Sequence, residues 1–174
     1  MKLYIAMTLD GYIAKPDGNL DWLTSIPYPE DGSDYGYQEL LDSLEVAVMG
    51  RSTYKEVLKL SPEWPYANLK SYVVTTNPDY PISTPNTFVV SSDLLAFARE
   101  LKSKAVKDCW LIGGGKVISY FLEHDLIDKL TLTIVPKNLG EGIRLFPDKT
   151  KEIDWKLIGV ESFSTGLVNL TYER

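Results

Sequence analysis

Apolar runs of strand length alternate along this chain with stretches of helical period. Residues 3–7, 46–49, 72–74, 87–90 and 110–112 are short runs, rich in branched and aromatic side chains and apolar at successive positions. Runs of that kind are expected of parallel strands buried on both faces. Between them the period changes. Tyr37, Leu40, Leu41 and Leu44 fall at i, i+3, i+4 and i+7, one apolar face of a helix. Tyr54, Val57 and Leu58 repeat the spacing, and Leu94, Phe97, Ala98 and Leu101 repeat it behind Ser92 or Asp93 as N-cap. Val117, Tyr120 and Phe121 mark a fourth helix, after which residues 130–135 alternate as a strand. Residues 155–163 and 167–172 predict two more strands around a turn at Ser164, Thr165 and Gly166. The pattern predicts one α/β domain over residues 1–174, with a mainly parallel sheet and a C-terminal antiparallel hairpin at one edge.

Composition narrows the chemistry. The chain has 174 residues and is 44% hydrophobic, enough to bury a core. Eighteen Lys and Arg against 24 Asp and Glu leave a net charge of −6, which argues against a nucleic-acid partner. No apolar run has the length of a membrane span, and no signal peptide is apparent. One cysteine, Cys109, excludes an intramolecular disulfide and fits a reducing cytoplasm. One histidine beside it leaves too little for a zinc site or a thiol–imidazole pair. Chemistry must come from carboxylates, hydroxyls, backbone amides or a borrowed cofactor.

Two loops carry the sharpest signals. Ile112, Gly113, Gly114, Gly115, Lys116 and Val117 lie where a strand ends and a helix begins. Glycines there let backbone approach a ligand, and a helix start offers unpaired N–H groups to a pyrophosphate. A tight strand-to-helix turn is the other reading. Gly50, Arg51, Ser52 and Thr53 repeat the arrangement, with a guanidinium fork for phosphate or, equally, a solvated arginine on a capped helix. Thr75 and Thr76 end a third strand on the same predicted edge, the edge at which open α/β sheets bind ligands. Asp34 precedes the first helix, as its N-cap or as a carboxylate beside a cofactor. Cys109 reads as a core thiol and His124 as a helix-end residue. Asp10-Gly11 and Pro16-Asp17-Gly18 read as turns, and Glu30, Asp31 and Asp34 as a solvated loop rather than a metal cluster.

In order along the chain stand Ile13-Ala14, Asp34 before a helix, Met49-Gly50-Arg51-x-Thr53-Tyr54, Thr75-Thr76, Ile112-Gly113-Gly114-Gly115-x-Val117, Thr131-x-Thr133 and Leu145-Phe146-Pro147. This order resembles the dihydrofolate reductase-like fold. It is most similar to the branch containing the reductase domain of bifunctional riboflavin-biosynthesis deaminase–reductases and its stand-alone bacterial relatives. Residues 9–14, 21–23 and 34–37 are similar to that branch's opening. The resemblance implies a three-layer sandwich, an NADPH-dependent reductase and a homodimer. Arg51, Ser52 and Thr53 would hold the pyrophosphate and 2′-phosphate side of NADPH. Gly113, Gly114, Gly115, Lys116 and Val117, with Ile112, would wrap its diphosphate and nicotinamide end, and Ala6, Ile13, Gly50, Thr75 and Thr76 would complete the groove. Asp34 matches the acid that binds the pterin, Thr133 the threonine supporting that acid, and Trp22 and Tyr37 would wall the substrate pocket. Two departures bear on the substrate. Asp21-Trp22 replaces the Pro-Trp of dihydrofolate reductases, and Asn68-Leu69-Lys70 lacks the arginine that grips the folate carboxylate. A small heterocycle of the pterin/folate or riboflavin-precursor pyrimidine type is the expected substrate. A non-catalytic NADPH-binding sensor or scaffold is the alternative.

Overall fold

The computed structural model describes every residue except Tyr28 and Asp31, so the acidic loop that includes Asp31 lies partly outside the described residues. In chain order the elements are β1 (Lys2–Thr8), β2 (Tyr12–Ala14), α1 (Asp21–Thr24), α2 (Tyr37–Asp42), β3 (Leu44–Gly50), α3 (Arg51–Leu60), β4 (Lys70–Val74) and β5 (Thr87–Val90). Then follow α4 (Leu94–Lys104), β6 (Asp108–Gly113), α5 (Gly115–Glu123), β7 (Lys129–Val135), β8 (Ile143–Arg144), β9 (Lys156–Ser162) and β10 (Val168–Glu173). Eight strands form one sheet in the order β5-β4-β3-β6-β1-β7-β10-β9. The six from β5 to β7 run parallel, while β10 runs antiparallel to β7 and β9 antiparallel to β10. Strands β2 and β8 pair as a separate ribbon.

Alternation along the strands sorts their side chains between two helical layers. Leu3, Val46, Val48, Leu111, Leu130 and Leu132 pack with Ala98 of α4 and with Ile118, Phe121 and Leu122 of α5. Ala47, Met49, Val73 and Trp110, one residue out of phase, pack with Leu40 of α2 and Tyr54 of α3. The fold is therefore the expected dihydrofolate reductase-like sandwich of helix, sheet and helix.

The pattern misjudged some local features. Leu44 does not extend the α2 face. Ser43 closes that helix, its N–H donating to the Glu39 and Leu40 carbonyls, and Leu44 opens β3 as a buried residue. The strand at 87–90 is not buried on both faces: β5 is the sheet edge, and Phe88 is 46% exposed. Of the hairpin strands, β9 is one residue shorter at each end than expected and β10 is shifted by one, and α1, β2 and β8 went unpredicted because each is too short to show a period. Asp93, not Ser92, caps α4, accepting the Ala96 N–H at 3.1 Å.

Candidate functional site

Parallel strands with helical crossovers place their carboxyl ends on one edge of the sheet, and the two glycine loops meet there. Gly50 ends β3 opposite Val74 of β4, and Met49 pairs with Gly113 of β6. A Cβ on Gly50 would lie 3.1 Å from Val117 Cγ2 and 3.7 Å from the Gly114 nitrogen. A Cβ on Gly114 would lie 3.2 Å from Thr53 Oγ1. The loops thus meet closely, and a side chain at Gly50 or Gly114 would press on Val117 or Thr53. The Gly113–Gly114 peptide is cis. Ile13 of β2 and Ile143 of β8 close the arrangement from the ribbon: a Cβ on Gly115 would come within 3.3 Å of Ile143 and 3.8 Å of Ile13.

Of the three helices longer than eight residues among the described residues, α4 has a side-chain cap, whereas α3 and α5 have none. Their first-turn amides therefore have no side-chain acceptor, and both helices start at this edge beside each other. Arg51 and Ser52 are exposed there, as is Lys116, and Thr53 is half-buried. Thr75 and Thr76 follow β4 on the same edge, where the Thr75 N–H donates to the Val90 carbonyl and its hydroxyl accepts from Asn77 N–H.

A second polar centre lies on β1, β7 and β10. Register puts Ala6, Thr133 and Asn169 side by side on these three strands. Thr133, 5% exposed, donates its hydroxyl hydrogen to Asn169 Oδ1 at 2.7 Å. Asn169 Nδ2 donates to the Tyr35 carbonyl at 2.9 Å, and the Tyr4 hydroxyl donates to the same oxygen at 2.9 Å. Burial pushes the Tyr4 phenol above its ordinary pKa, and the Asp34 and Glu161 charges push it the same way. It stays a donor at neutral pH. Asp34 itself is exposed, and its two oxygens accept the N–H of Gly36 at 3.1 Å and of Gln38 at 2.7 Å. It therefore satisfies amides at the start of α2 although Gly36 is the N-cap. Thr133 bonds Asn169 and not Asp34; the two reach each other through the Tyr35 peptide.

Trp22, 2% exposed, packs with Ala6, Tyr35, Val135 and Phe163, and its Nε1 has no protein partner. Tyr37 lies in a different cluster with Tyr4, Ile112 and Trp110, its ring 6.1 Å from that of Trp110. Sequence reading missed Tyr4 and Asn169 altogether. The one available sign was a polar residue at an inward-facing step of β10. It also read Asp10 as a turn residue only. Asp10 does precede a tight turn, but its carboxylate accepts the N–H of Leu139 at 3.0 Å and of Gly140 at 2.7 Å, tying the loop after β1 to the loop after β7.

A hollow of about 300 Å³ lies beside Trp22, lined by Lys15, Asp21, Ser25 and Lys137 among others. Another, about 370 Å³, lies at the opposite, amino edge of the sheet and is lined by Met1, Lys102, Cys109 and Asp128 among others. Two of its cations, the Met1 ammonium and Lys102, pair with Asp128, and Lys107 donates to the Asp42 carbonyl. Burial raises the Cys109 thiol, which leaves it an unreactive core group. His124 ends α5 and bonds the Tyr120 carbonyl through Nδ1. Among the described residues no group of three His, Cys, Asp or Glu comes together to hold a metal, and no helix is long and apolar enough to cross a membrane.

Residues 2–169 match the RibD C-terminal domain. The uncharacterized protein YwjB of Bacillus subtilis (strain 168) is 37% identical over 172 residues, covering 99% of this chain and 96% of its own. YyaP of the same organism is 29% identical over 180 residues, with 98% and 92% covered. Among solved structures, a protein of Shewanella sp. PV-4 named for riboflavin biosynthesis is similar with a TM-score of 0.84 and 33% identity over 99% of this chain and 97% of its own. The deaminase/5-amino-6-(5-phosphoribosylamino)uracil reductase of Thermotoga maritima has a TM-score of 0.69 at 22% identity, and this chain spans 55% of it. Dihydrofolate reductase of Enterococcus faecalis, solved with NADP(H), has a TM-score of 0.67 at 20% identity over 99% of this chain and 95% of its own.

Proposed function

The chain belongs to the RibD C-terminal domain family, and from that premise we propose that it is an NADPH-dependent reductase of a small planar heterocycle. The observation that carries this reading is the pair of uncapped helix starts, α3 and α5, held together by glycine loops at one sheet edge. That donor set suits a diphosphate: main-chain N–H groups and two positive dipole ends, with a guanidinium and hydroxyls beside them. Arg51, Ser52 and Thr53 would take the 2′-phosphate and pyrophosphate side. Gly113, Gly114, Gly115, Lys116 and Val117 would take the diphosphate and nicotinamide end, with Ala6, Ile13, Gly50, Thr75, Thr76 and Ile112 lining the groove. When bound, the cofactor supplies a hydride to a C=N or C=O carbon.

The chain's own part is to orient and to shield. Asp34 accepts hydrogen bonds from ring N–H groups of the heterocycle, and its charge favours protonation of that ring. Trp22 and Tyr37 would wall the pocket from two separate clusters, Trp22 from an almost wholly buried position beside Tyr35, which keeps bulk water from the reacting carbon. Lys70, exposed at the start of β4, is a point charge and no substitute for a carboxylate-gripping fork, which disfavours dihydrofolate against a heterocycle that lacks the glutamate tail. Loss of NADPH absorbance with dihydrofolate, a tail-less dihydropterin and 5-amino-6-(5-phosphoribosylamino)uracil tests the reading. Oxidation with the pyrimidine or pterin and not with dihydrofolate is expected. Tight NADPH binding with no oxidation by any of the three sinks the reductase and favours a sensor.

The protein works in the cytoplasm as a homodimer in this reading, joined through β9. That edge strand exposes Leu157, Ile158 and Val160 at 49%, 45% and 63% beside an open row of backbone groups. Sedimentation should give a dimer that Val160→Lys converts to monomer; a wild-type monomer overturns the assignment.

A further inference from the structure

Tyr35 adopts φ 62°, a left-handed conformation that a bulky residue keeps only when its surroundings hold it. Its carbonyl is held twice, by Tyr4 Oη and by Asn169 Nδ2, each at 2.9 Å. The Asn169 amide cannot turn over without loss. Its oxygen accepts from Thr133 Oγ1 at 2.7 Å, and a flip would set that oxygen against the Tyr35 carbonyl, which only accepts. The Tyr35 side chain is anchored as well: its hydroxyl donates to the Pro27 carbonyl at 2.9 Å, and its ring meets Phe163 edge-on at 4.9 Å. Asp34 is the preceding residue. Its carboxylate accepts the Gly36 N–H, the other end of the peptide whose carbonyl Tyr4 and Asn169 hold.

We propose that Asn169 and Tyr4 are positioning residues, a clamp on the Tyr35 carbonyl that fixes the direction in which Asp34 meets the substrate. This rests on the reading of Asp34 as the substrate-binding acid. The clamp explains why a hydrogen-bonded row of buried polar side chains crosses β7 and β10, where an apolar wall would pack as well. It also separates two duties. The glycine loops hold the cofactor, whereas the clamp acts on the substrate side alone.

The test uses Tyr4→Phe and Asn169→Leu, singly and together, with Thr171→Val as the control. Thr171 shares the same sheet region, and its hydroxyl pairs with Thr131 and not with Tyr35. Tyr4→Phe removes one hydroxyl and keeps the ring, so it remains informative should Asn169→Leu fail to fold. Amide exchange of Gly36 and Gln38, whose N–H groups donate to Asp34, should quicken about tenfold in the clamp variants while amides of α3 and α5 stay unchanged. Heterocycle kcat should fall about tenfold or more with NADPH Kd within about twofold of wild type, the signature of lost orientation on one side only. Unchanged exchange at Gly36 and Gln38 overturns the proposal. So does acceleration spread evenly over all amides, and so does unchanged kcat despite faster exchange. Exchange needs no substrate, so a wild-type protein that reduces nothing overturns the reductase reading and leaves the clamp to be judged by exchange alone.

Discussion

The proposed cofactor cradle and the proposed substrate-side clamp are built from opposite materials. The proposed cradle is almost all backbone: a Cβ at Gly50, Gly114 or Gly115 would lie 3.1, 3.2 or 3.3 Å from a neighbouring side chain, and the N–H groups of two helix starts would do the binding. The clamp is all side chain around one carbonyl, drawn from β1, β7 and β10 and aimed at the turn before α2. A backbone site tolerates almost any side chain that points away from it and no side chain that points in. A side-chain network tolerates shape changes nearby but not the loss of one donor, because a buried acceptor is then left bare. Damage to each should therefore read out differently.

The largest effect is expected from Gly114→Val. Its branched side chain would drive into Thr53 Oγ1, and NADPH affinity should fall on the order of a hundredfold, about 3 kcal/mol of overpacking and lost amide contacts. Calorimetric titration measures this, and affinity near wild type would mean the glycine run is only a turn. Thr133→Val comes next. It strips Asn169 Oδ1 of its donor and should cost about 1–3 kcal/mol of stability in denaturant unfolding while leaving NADPH affinity alone. A loss of cofactor affinity there would join two regions that the comparison keeps apart. Arg51→Ala should weaken NADPH binding about tenfold and NADH binding hardly at all, since one guanidinium contact to a phosphate is removed. Equal weakening of both would move Arg51 from the 2′-phosphate to the shared diphosphate.

The smallest effect concerns pH. Burial alone would raise the Asp10 carboxyl, but hydrogen bonds from Thr8, Gly140 and Leu139 outweigh it and hold the group below its ordinary value. A depressed folded-state pKa adds stability that is present above the ordinary carboxylate range and lost as pH falls through the folded value. Asp10→Asn should flatten that acid-side decline in a series of urea midpoints. An unchanged slope would show that the two loops are held together without this charge.

Much of the fold was legible because it is local. Strand runs and helix periods are short-range patterns, and the glycine loops are contiguous, so Gly50 through Thr53 and Ile112 through Val117 can be read from spacing alone. Asp34 was legible as a helix-start carboxylate, and the structure finds it bonding the first amides of α2. Leu44 failed because a helical repeat and the first residue of a buried strand look alike at a boundary.

What the sequence by itself determined is the alternation of strands and helices, and with it the layered sheet and the edge at which the two glycine loops gather. Tertiary structure alone decided the partners of Thr133, Tyr4, Asn169 and Asp10. Thr133 and Asn169 are 36 positions apart and become neighbours only through the antiparallel register of β7 and β10, and Asp10 reaches Gly140 across 130 positions. Such contacts leave no period and no spacing in the chain. A hydrogen bond is specified by an ångström-scale meeting of two groups, and where two distant strands come to lie beside each other is settled only by packing the whole sheet.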